Sequence, residues 1–257
     1  MKFRLGLTGS LVVLMTLLML VSQAGSSLSI GNVLRDTTRI GEMDKVRTLG
    51  TLIEFLLERE TIQTTAFAKS LGANKSLAIA VARAGTDGLQ EAADLLARLY
   101  SGSHLDFLEV TNDKEIVIYR AHDTARAGDR SAVWGVAEAL NGAPGIATSV
   151  DARGVALRAT EPLVLDGKIV GTVSGGVFIA EKFISGLSRQ VGAKLALLAR
   201  LKPVAASTPS LLQTLDAGAI GSAFEQKIPI YRNDAASYAT RVYLPVLIVD
   251  EGFVMVA

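Results

Sequence analysis

The stretch that sets the fold of this chain reads VALRATEPLVLDGKIVGTVSGGV and covers residues 155–177. Two mainly apolar runs flank Asp166-Gly167, a dipeptide typical of the two-residue turn between antiparallel strands. The pattern therefore predicts a β-hairpin with strands at Val155–Leu165 and Lys168–Ile179. Another strand is expected just upstream, at Gly145–Val150.

A second hairpin is predicted before this one. Its strands are Leu105–Val110 and Glu115–Ala121, and Asn112-Asp113 supplies the turn. A polar loop and a short helix at Ser131–Leu140 then lead to the strand that starts at Gly145. Two strands, a helical crossing and three strands are most economically arranged as an antiparallel sheet with helices on one side, which is an α+β fold.

A similar but shorter order of strands and helices follows a predicted helix at Glu181–Val191. This order predicts a second, smaller sheet module, although no residue-level repeat accompanies it. Its expected elements are strand Lys194–Ala199, helix Ser210–Asp216, strand Gln226–Arg232, strand Tyr238–Val249, a turn at Asp250–Gly252 and strand Phe253–Val256.

Upstream of the first sheet the pattern is helical. From Asn32 to Leu71 there is no proline, and apolar residues recur every three or four positions, which predicts a helix of about 40 residues. Its apolar seam predicts a homodimer through this helix, and packing of the seam against the chain's own sheet is the alternative. The seam consists of Ile40, Met43, Val46, Leu49, Ile53 and Leu56. Two shorter helices are expected at Lys75–Ala84 and from an Asp87/Gln90 capping box to Tyr100.

The N-terminus carries an export signal. Lys2 and Arg4 precede an uncharged run whose apolar centre, Leu11–Val21, reads LVVLMTLLMLV. This run is either a cleaved signal peptide or an uncleaved anchor, since about 20 apolar residues suffice to cross a bilayer. The helix that starts almost immediately afterwards favours the anchor. The positive-inside rule then places everything from Gly25 onward outside the cytoplasm.

The composition excludes several classes of protein. The chain has 257 residues, of which 49% are hydrophobic, so it can bury a real core and is not a disordered segment. Its 26 basic and 25 acidic residues are intermixed, which leaves no basic surface for nucleic acid. The absence of cysteine removes disulfides, cysteine-ligated metals and covalently attached haem. No cofactor is expected.

Catalytic motifs are also missing. The segment Gly171–Gly175 reads GTVSG, which puts serine one place late for a nucleophile elbow. The two histidines, His104 and His122, lie on separate elements and not at metal-ligand spacing, so no metal site is expected. An exported hydrolase would need a nucleophile or paired acids that converge in one cleft. We therefore do not expect an enzyme.

Two stretches carry a family resemblance. Glu109–Asp129, which reads EVTNDKEIVIYRAHDTARAGD, and the hairpin at 155–177 resemble the extracytoplasmic Cache sensor domains of bacterial receptors. The long helix and the smaller second module resemble the double Cache arrangement, in which both modules are PAS-like antiparallel sheets. The implied domains are a signal anchor at 1–31, a stalk helix and helical hairpin at 32–104, a membrane-distal sensor module at 105–192 and a membrane-proximal module at 193–257.

The resemblance implies a function. Such a chain would be the periplasmic ligand-sensing part of a chemoreceptor, a sensor histidine kinase or a diguanylate cyclase of the bacterial inner membrane. Its expected ligand is a small polar molecule or a carboxylate. The alternative is an anchored or secreted solute-binding or structural protein without a signalling role.

Candidate binding residues lie on the first sheet. Strand alternation puts Arg158 and Thr160 on one face, and a guanidinium is suited to hold a carboxylate with two hydrogen bonds. The alternative for Arg158 is an exposed arginine or a structural partner of Glu161 or Asp151.

Further candidates flank that face. The resemblance favours Arg120 and His122 as a pocket wall, whereas a loop-anchoring salt bridge from Arg120 to Asp123 or Asp129 is the alternative. Trp134 is expected on the crossing helix, either in the core or as a lid. Ser174, followed by two glycines, would let a ligand approach the backbone or would allow close helix packing.

Overall fold

A computed structural model describes residues 46–84, 88–151, 153–199, 201–234 and 239–257. The fold described below is that of the compact unit Thr51–Ala257. The predicted membrane segment and the first part of the predicted long helix lie outside the described residues. Within the described ranges, no helix is both long enough and apolar enough to cross a bilayer.

Three helices precede the first sheet, as predicted. Helix α1 is described from residue 46 to 72, and it is followed by α2 (Lys75–Ala82) and α3 (Gly88–Ser101). Asn74 begins α2, because its side chain accepts a hydrogen bond of 3.0 Å from the Leu77 amide. The expected cap residue of α3, Asp87, lies outside the described residues.

The apolar seam of the long helix serves the chain's own fold. Ile53 is 0% exposed and Leu56 is 7% exposed, so these two members of the predicted dimer seam are buried within the protomer. The alternative interpretation is therefore correct for this part of the seam. A different row of apolar side chains on α1 stays exposed, namely Leu52, Phe55 and Ile62.

The first module is a five-stranded antiparallel sheet in the order β2-β1-β5-β4-β3. The predicted Asp166-Gly167 turn is confirmed, and both residues have the positive φ, 49° and 79°, that this hairpin turn requires. The elements are β1 (Phe107–Asn112), β2 (Val117–Arg120), α4 (Val136–Leu140), β3 (Gly145–Asp151), β4 (Gly154–Leu165), β5 (Lys168–Ile179) and α5 (Glu181–Val191).

The crossing helix is shorter than predicted. It begins at Val136 instead of Ser131, because Gly135 adopts a left-handed conformation (φ 87°) that cannot continue an α-helix upstream. Trp134 consequently lies in the turn before α4.

The second module repeats the strand order of the first. Its sheet runs β7-β6-β10-β9-β8, which is the same sequence of second, first, fifth, fourth and third strand. The second sheet module predicted from the sequence is therefore confirmed at the level of topology. The elements are β6 (Ala196–Ala199), β7 (Lys202–Ala206), α6 (Pro209–Leu212), α7 (Ala217–Gln226), β8 (Ile230–Asp234), β9 (Ala239–Ile248) and β10 (Glu251–Val256).

Two elements of this module differ from the prediction. Strand β7 was not predicted, and the helix expected at Ser210–Asp216 is only the short α6, while the longer α7 occupies residues for which no helix was predicted. Asp216 begins α7 as its N-cap, since its side chain accepts a hydrogen bond of 3.0 Å from the Ala219 amide.

The two faces of the first sheet are covered differently. Leu157 and Leu163 of β4 are fully buried on the face against which α2 packs. The opposite face carries Arg158 and Thr160, and the segment between β2 and β3 covers it, with Gly135 close to the Thr160 hydroxyl. The polar residues predicted for a site therefore lie between the sheet and this segment.

Gly176 allows the close packing of this polar face. A Cβ atom at this position would overlap the Leu157 carbonyl oxygen and the Phe107 ring. The absence of a side chain on the central strand therefore lets the Phe107 ring lie across the sheet.

The Gly176→Ala variant is expected to lose about 1–3 kcal/mol of unfolding free energy, the usual cost of overpacking. Gly221→Ala is the matched control, because Gly221 lies inside α7 with nothing within 4 Å of an added Cβ. This control should gain up to about 1 kcal/mol from helix propensity. Urea denaturation followed by circular dichroism measures both, and equal midpoints for Gly176→Ala and the parent would contradict the packing argument.

Candidate ligand-binding site

A cavity of about 490 Å³ lies on the polar face of the first sheet. Four of the six predicted site residues line it: Arg120, His122, Trp134 and Arg158. Its remaining lining residues are Glu109, Asp123, Arg126, Ala132, Val133, Ala147, Thr148, Ser149 and Arg153.

Arg158 lies on the cavity floor, on the central part of β4. It is paired with Gly176 across the sheet, and its guanidinium carbon stands 4.4 Å from the centre of the Phe107 ring. The ring occupies the space left by the missing Gly176 side chain. The cation–aromatic contact fixes the orientation of the half-buried guanidinium and uses none of its N–H donors.

Arg120 anchors the loop that forms the cavity wall. Its Nε donates to Glu109 Oε2 at 2.6 Å, and its two terminal nitrogens donate to the Asp129 carboxylate at 2.7 and 3.1 Å. One of these nitrogens also donates to the Arg126 carbonyl at 2.9 Å. The second Glu109 oxygen accepts a hydrogen bond from Ser131. Of the two salt bridges considered from the sequence, the one to Asp129 is present.

His122 contributes a neutral ring to the wall. Its Nδ1 lies 3.3 Å from the backbone nitrogen and oxygen of Leu108, and its ring meets Phe107 edge-on, with the centroids 6.0 Å apart. Burial lowers the pKa of His122 below its ordinary value, so the ring carries no charge at neutral pH.

Trp134 lies at the cavity mouth, and the core interpretation of this residue is wrong. The residue is 58% exposed, and its ring lies 3.5 Å from the position that a Cβ atom on Gly145 would occupy. An indole that is more than half exposed and lines a cavity is placed where a lid would be, as in the alternative considered from the sequence.

Thr160 and Ser174 are placed beneath the cavity and do not line it. They are 2% and 1% exposed, and their hydroxyl oxygens are 2.9 Å apart across the β4–β5 pair. The two hydroxyls therefore hydrogen-bond to each other in the interior of the sheet.

Sequence reasoning missed two cationic lining residues, Arg126 and Arg153. The exposed Arg153 has its guanidinium 4.4 Å over the Phe178 ring, which in turn lies 5.4 Å from Phe107. Both arginines belong to connections between strands, where strand alternation carries no information. The excess of arginine around these connections was the available signal.

The cavity is cationic. Four arginines and two carboxylates line it, which gives a formal charge of +2 with His122 neutral. One of the carboxylates, Glu109, is already bound by Arg120 and Ser131. No group of three or more histidines or acids that could hold a metal ion occurs in the described part of the chain.

The Arg120–Asp129 pair predicts an acid-sensitive wall. The hydrogen bond from Arg120 lowers the pKa of Asp129, so its stabilising contribution is complete above the unfolded-state pKa, near 4, and is lost as the pH falls through the folded-state value. Asp129→Asn should therefore melt below the parent at pH 7, and the difference should shrink below about pH 4. Asp123→Asn serves as the control. Thermal melts at pH 7, 5 and 3 test this, and equal melting temperatures at pH 7 would refute it.

No protein-family model matches the sequence, and no curated protein is detectably similar to it. Solved structures do match. The sensory domain of the Campylobacter jejuni chemoreceptor Tlp3, solved with isoleucine bound, superimposes with a TM-score of 0.56 at 12% identity and covers 88% of this chain and 94% of that one. The periplasmic domain of Vibrio cholerae LuxQ gives a TM-score of 0.51 at 12% identity and covers 82% and 98%. With its long helix and two five-stranded antiparallel sheets, the chain has the double Cache fold that the sequence resemblance predicted.

Proposed function

We propose that this chain is the extracytoplasmic ligand-sensing domain of a bacterial signal-transduction receptor, of the chemoreceptor, sensor histidine kinase or diguanylate cyclase type. Its ligand would be a small anion, such as a carboxylate, held in the cavity of the first module. The observation that carries the proposal is the cationic lining of a cavity of about 490 Å³, a volume within the usual range for small-molecule sites. The Tlp3 domain of the same fold was solved with isoleucine bound.

The lining residues would have different roles in ligand binding. Arg158 would contact the ligand carboxylate, because its guanidinium carbon stands 4.4 Å over the Phe107 ring in the middle of the floor. Arg120 would act as a positioning residue, since its donors hold Glu109, Asp129 and the Arg126 carbonyl. Trp134 would close the mouth of the cavity.

The other predicted residues would support this arrangement. His122 would present a neutral hydrogen-bonding ring, and the Thr160–Ser174 pair would keep the floor beneath Arg158 in register.

Signalling requires that the ligand bind two arrangements of the domain with different affinity, since equal affinity would leave their populations unchanged. The segment between β2 and β3 would be the part that responds first, because it touches both cavity and sheet.

The full chain should show a thermal shift with at least one small carboxylate in a panel of organic acids, amino acids, amines and purines. A ligand at 100 times its dissociation constant adds about 2.7 kcal/mol to native stability. Arg158→Ala should abolish the shift, whereas Arg98→Ala, which removes an exposed arginine from α3, should retain it. A shift retained in Arg158→Ala would place the ligand elsewhere, and silence of the well-folded chain across the panel would count against a small-molecule sensor.

The protein would work as a membrane-tethered homodimer. The N-terminal apolar segment would hold it in the inner membrane with the described residues in the periplasm. The exposed row on α1 would provide the dimer contact, because Leu52, Phe55 and Ile62 follow the three-and-four spacing of a coiled-coil seam, with Arg59 between Phe55 and Ile62. Phe55 and Ile62 are each 59% exposed, which is unusual for large apolar side chains without a partner.

The absence of cysteine makes this contact directly testable. Phe55→Cys should give a disulfide-linked dimer when membranes that contain the full chain are oxidised. Glu54→Cys is the control, because position 54 is exposed but points about 100° away around the helix. Dimers from both variants in equal yield, or from neither, would argue against the contact.

A further inference from the structure

A second cavity, of about 740 Å³, lies in the other module and is larger than the first. Helix α1 lines it with Glu54, Glu58 and Thr61, and the β9–β10 hairpin and the end of α7 provide the rest. The volume lies within the range of sites for organic ligands. This cavity shares no lining residue with the cationic cavity of the first module.

Most of the hairpin and α7 side chains that line this cavity are apolar. Leu247 is 67% exposed, so most of its apolar surface is available for burial by a ligand. The other apolar lining residues are Phe224, Pro245, Val246, Val249 and Phe253. The cavity therefore offers an aromatic and aliphatic surface to a ligand.

The charged groups of the cavity are mainly carboxylates. Glu54 and Glu58 stand one turn apart on α1, Asp250 lies in the β9–β10 turn, and Lys227 is the basic lining residue. Within the described part of the chain, none of the three carboxylates forms an ion pair. The lining thus carries a formal charge of −2, opposite in sign to that of the first cavity.

We propose that this cavity is a second ligand site, which takes an organic ammonium ion with an apolar body. The carboxylates complement the positive charge, and the accessible side chains of Phe224, Pro245 and Leu247 complement the apolar part. A hydrated inorganic cation fits less well, because no group of acids in the described residues converges to ligate a metal. This site is independent of the carboxylate site proposed for the first module.

Isothermal titration of the full chain with 2-phenylethylammonium and its N-trimethyl derivative tests the proposal. At least one cation should bind saturably, and 2-phenylethanol, which keeps the body and lacks the charge, should bind at least fivefold more weakly. The double variant Glu54→Gln/Glu58→Gln should weaken the cation at least fivefold. Both positions are exposed on a helix where glutamine is tolerated, so the fold should be retained.

Two control variants complete the test. Glu91→Gln/Asp94→Asn removes two exposed acids from α3 and should leave the affinity unchanged, as should Arg158→Ala in the first cavity. Three results would overturn the proposal: no saturable binding of either cation, equal binding of the alcohol, or an equal loss in the α3 control. Loss of binding in Arg158→Ala would assign the cation to the first cavity and would also overturn it. None of these results bears on the carboxylate site of the first module, which the thermal-shift screen tests separately.

Discussion

The buried guanidinium of Arg120 is the constraint on which the first module depends. Arg120 is 7% exposed, and a charge buried to this extent must be paired because its desolvation costs several kcal/mol. Its partners come from β1, through Glu109, and from the loop after β2, through Asp129 and the Arg126 carbonyl. Because the loop supplies hydrogen-bond acceptors to the buried Arg120 guanidinium, it folds back over the sheet. The wall that carries His122 follows from that requirement.

A second constraint acts on the floor. Gly176 removes the side chain from the central strand, and the Phe107 ring fills the space. The ring then supports Arg158 on its face and touches Phe178, which supports Arg153 in the same way. Two of the four arginines of the cavity thus lie on an aromatic pair, and Gly176 leaves the space for one ring of that pair, Phe107. Ring contacts of this kind orient a guanidinium.

The sequence predicted what depends on local signals and missed what depends on packing. Asp166-Gly167 identified its hairpin, because positive φ at two successive residues is a local property. Strand β7 was missed because it directly follows β6 and contains Pro203, a residue that argues against a strand unless it lies at an edge, as here. For Trp134 the sequence offered two placements, and the left-handed Gly135 decided between them because the helix begins only after it. Arg153 was missed because its position over the Phe178 ring depends on a contact between residues that are remote in sequence.

The shared strand order lets the covering segments of the two modules be compared directly. In both, the segment between the second and third strands covers one face of the sheet. In the second module this segment carries α7, whose Ala219, Ile220 and Ala223 pack against Tyr243 and Val254 in a continuous apolar cluster. In the first module the corresponding segment has a helix of five residues, and the sheet presents Arg158 and the Thr160–Ser174 pair to it. An apolar helix fills its face, whereas a short helix and a charged loop over polar strands leave a cavity. The same topology therefore gives a packed core in one module and a cationic cavity in the other.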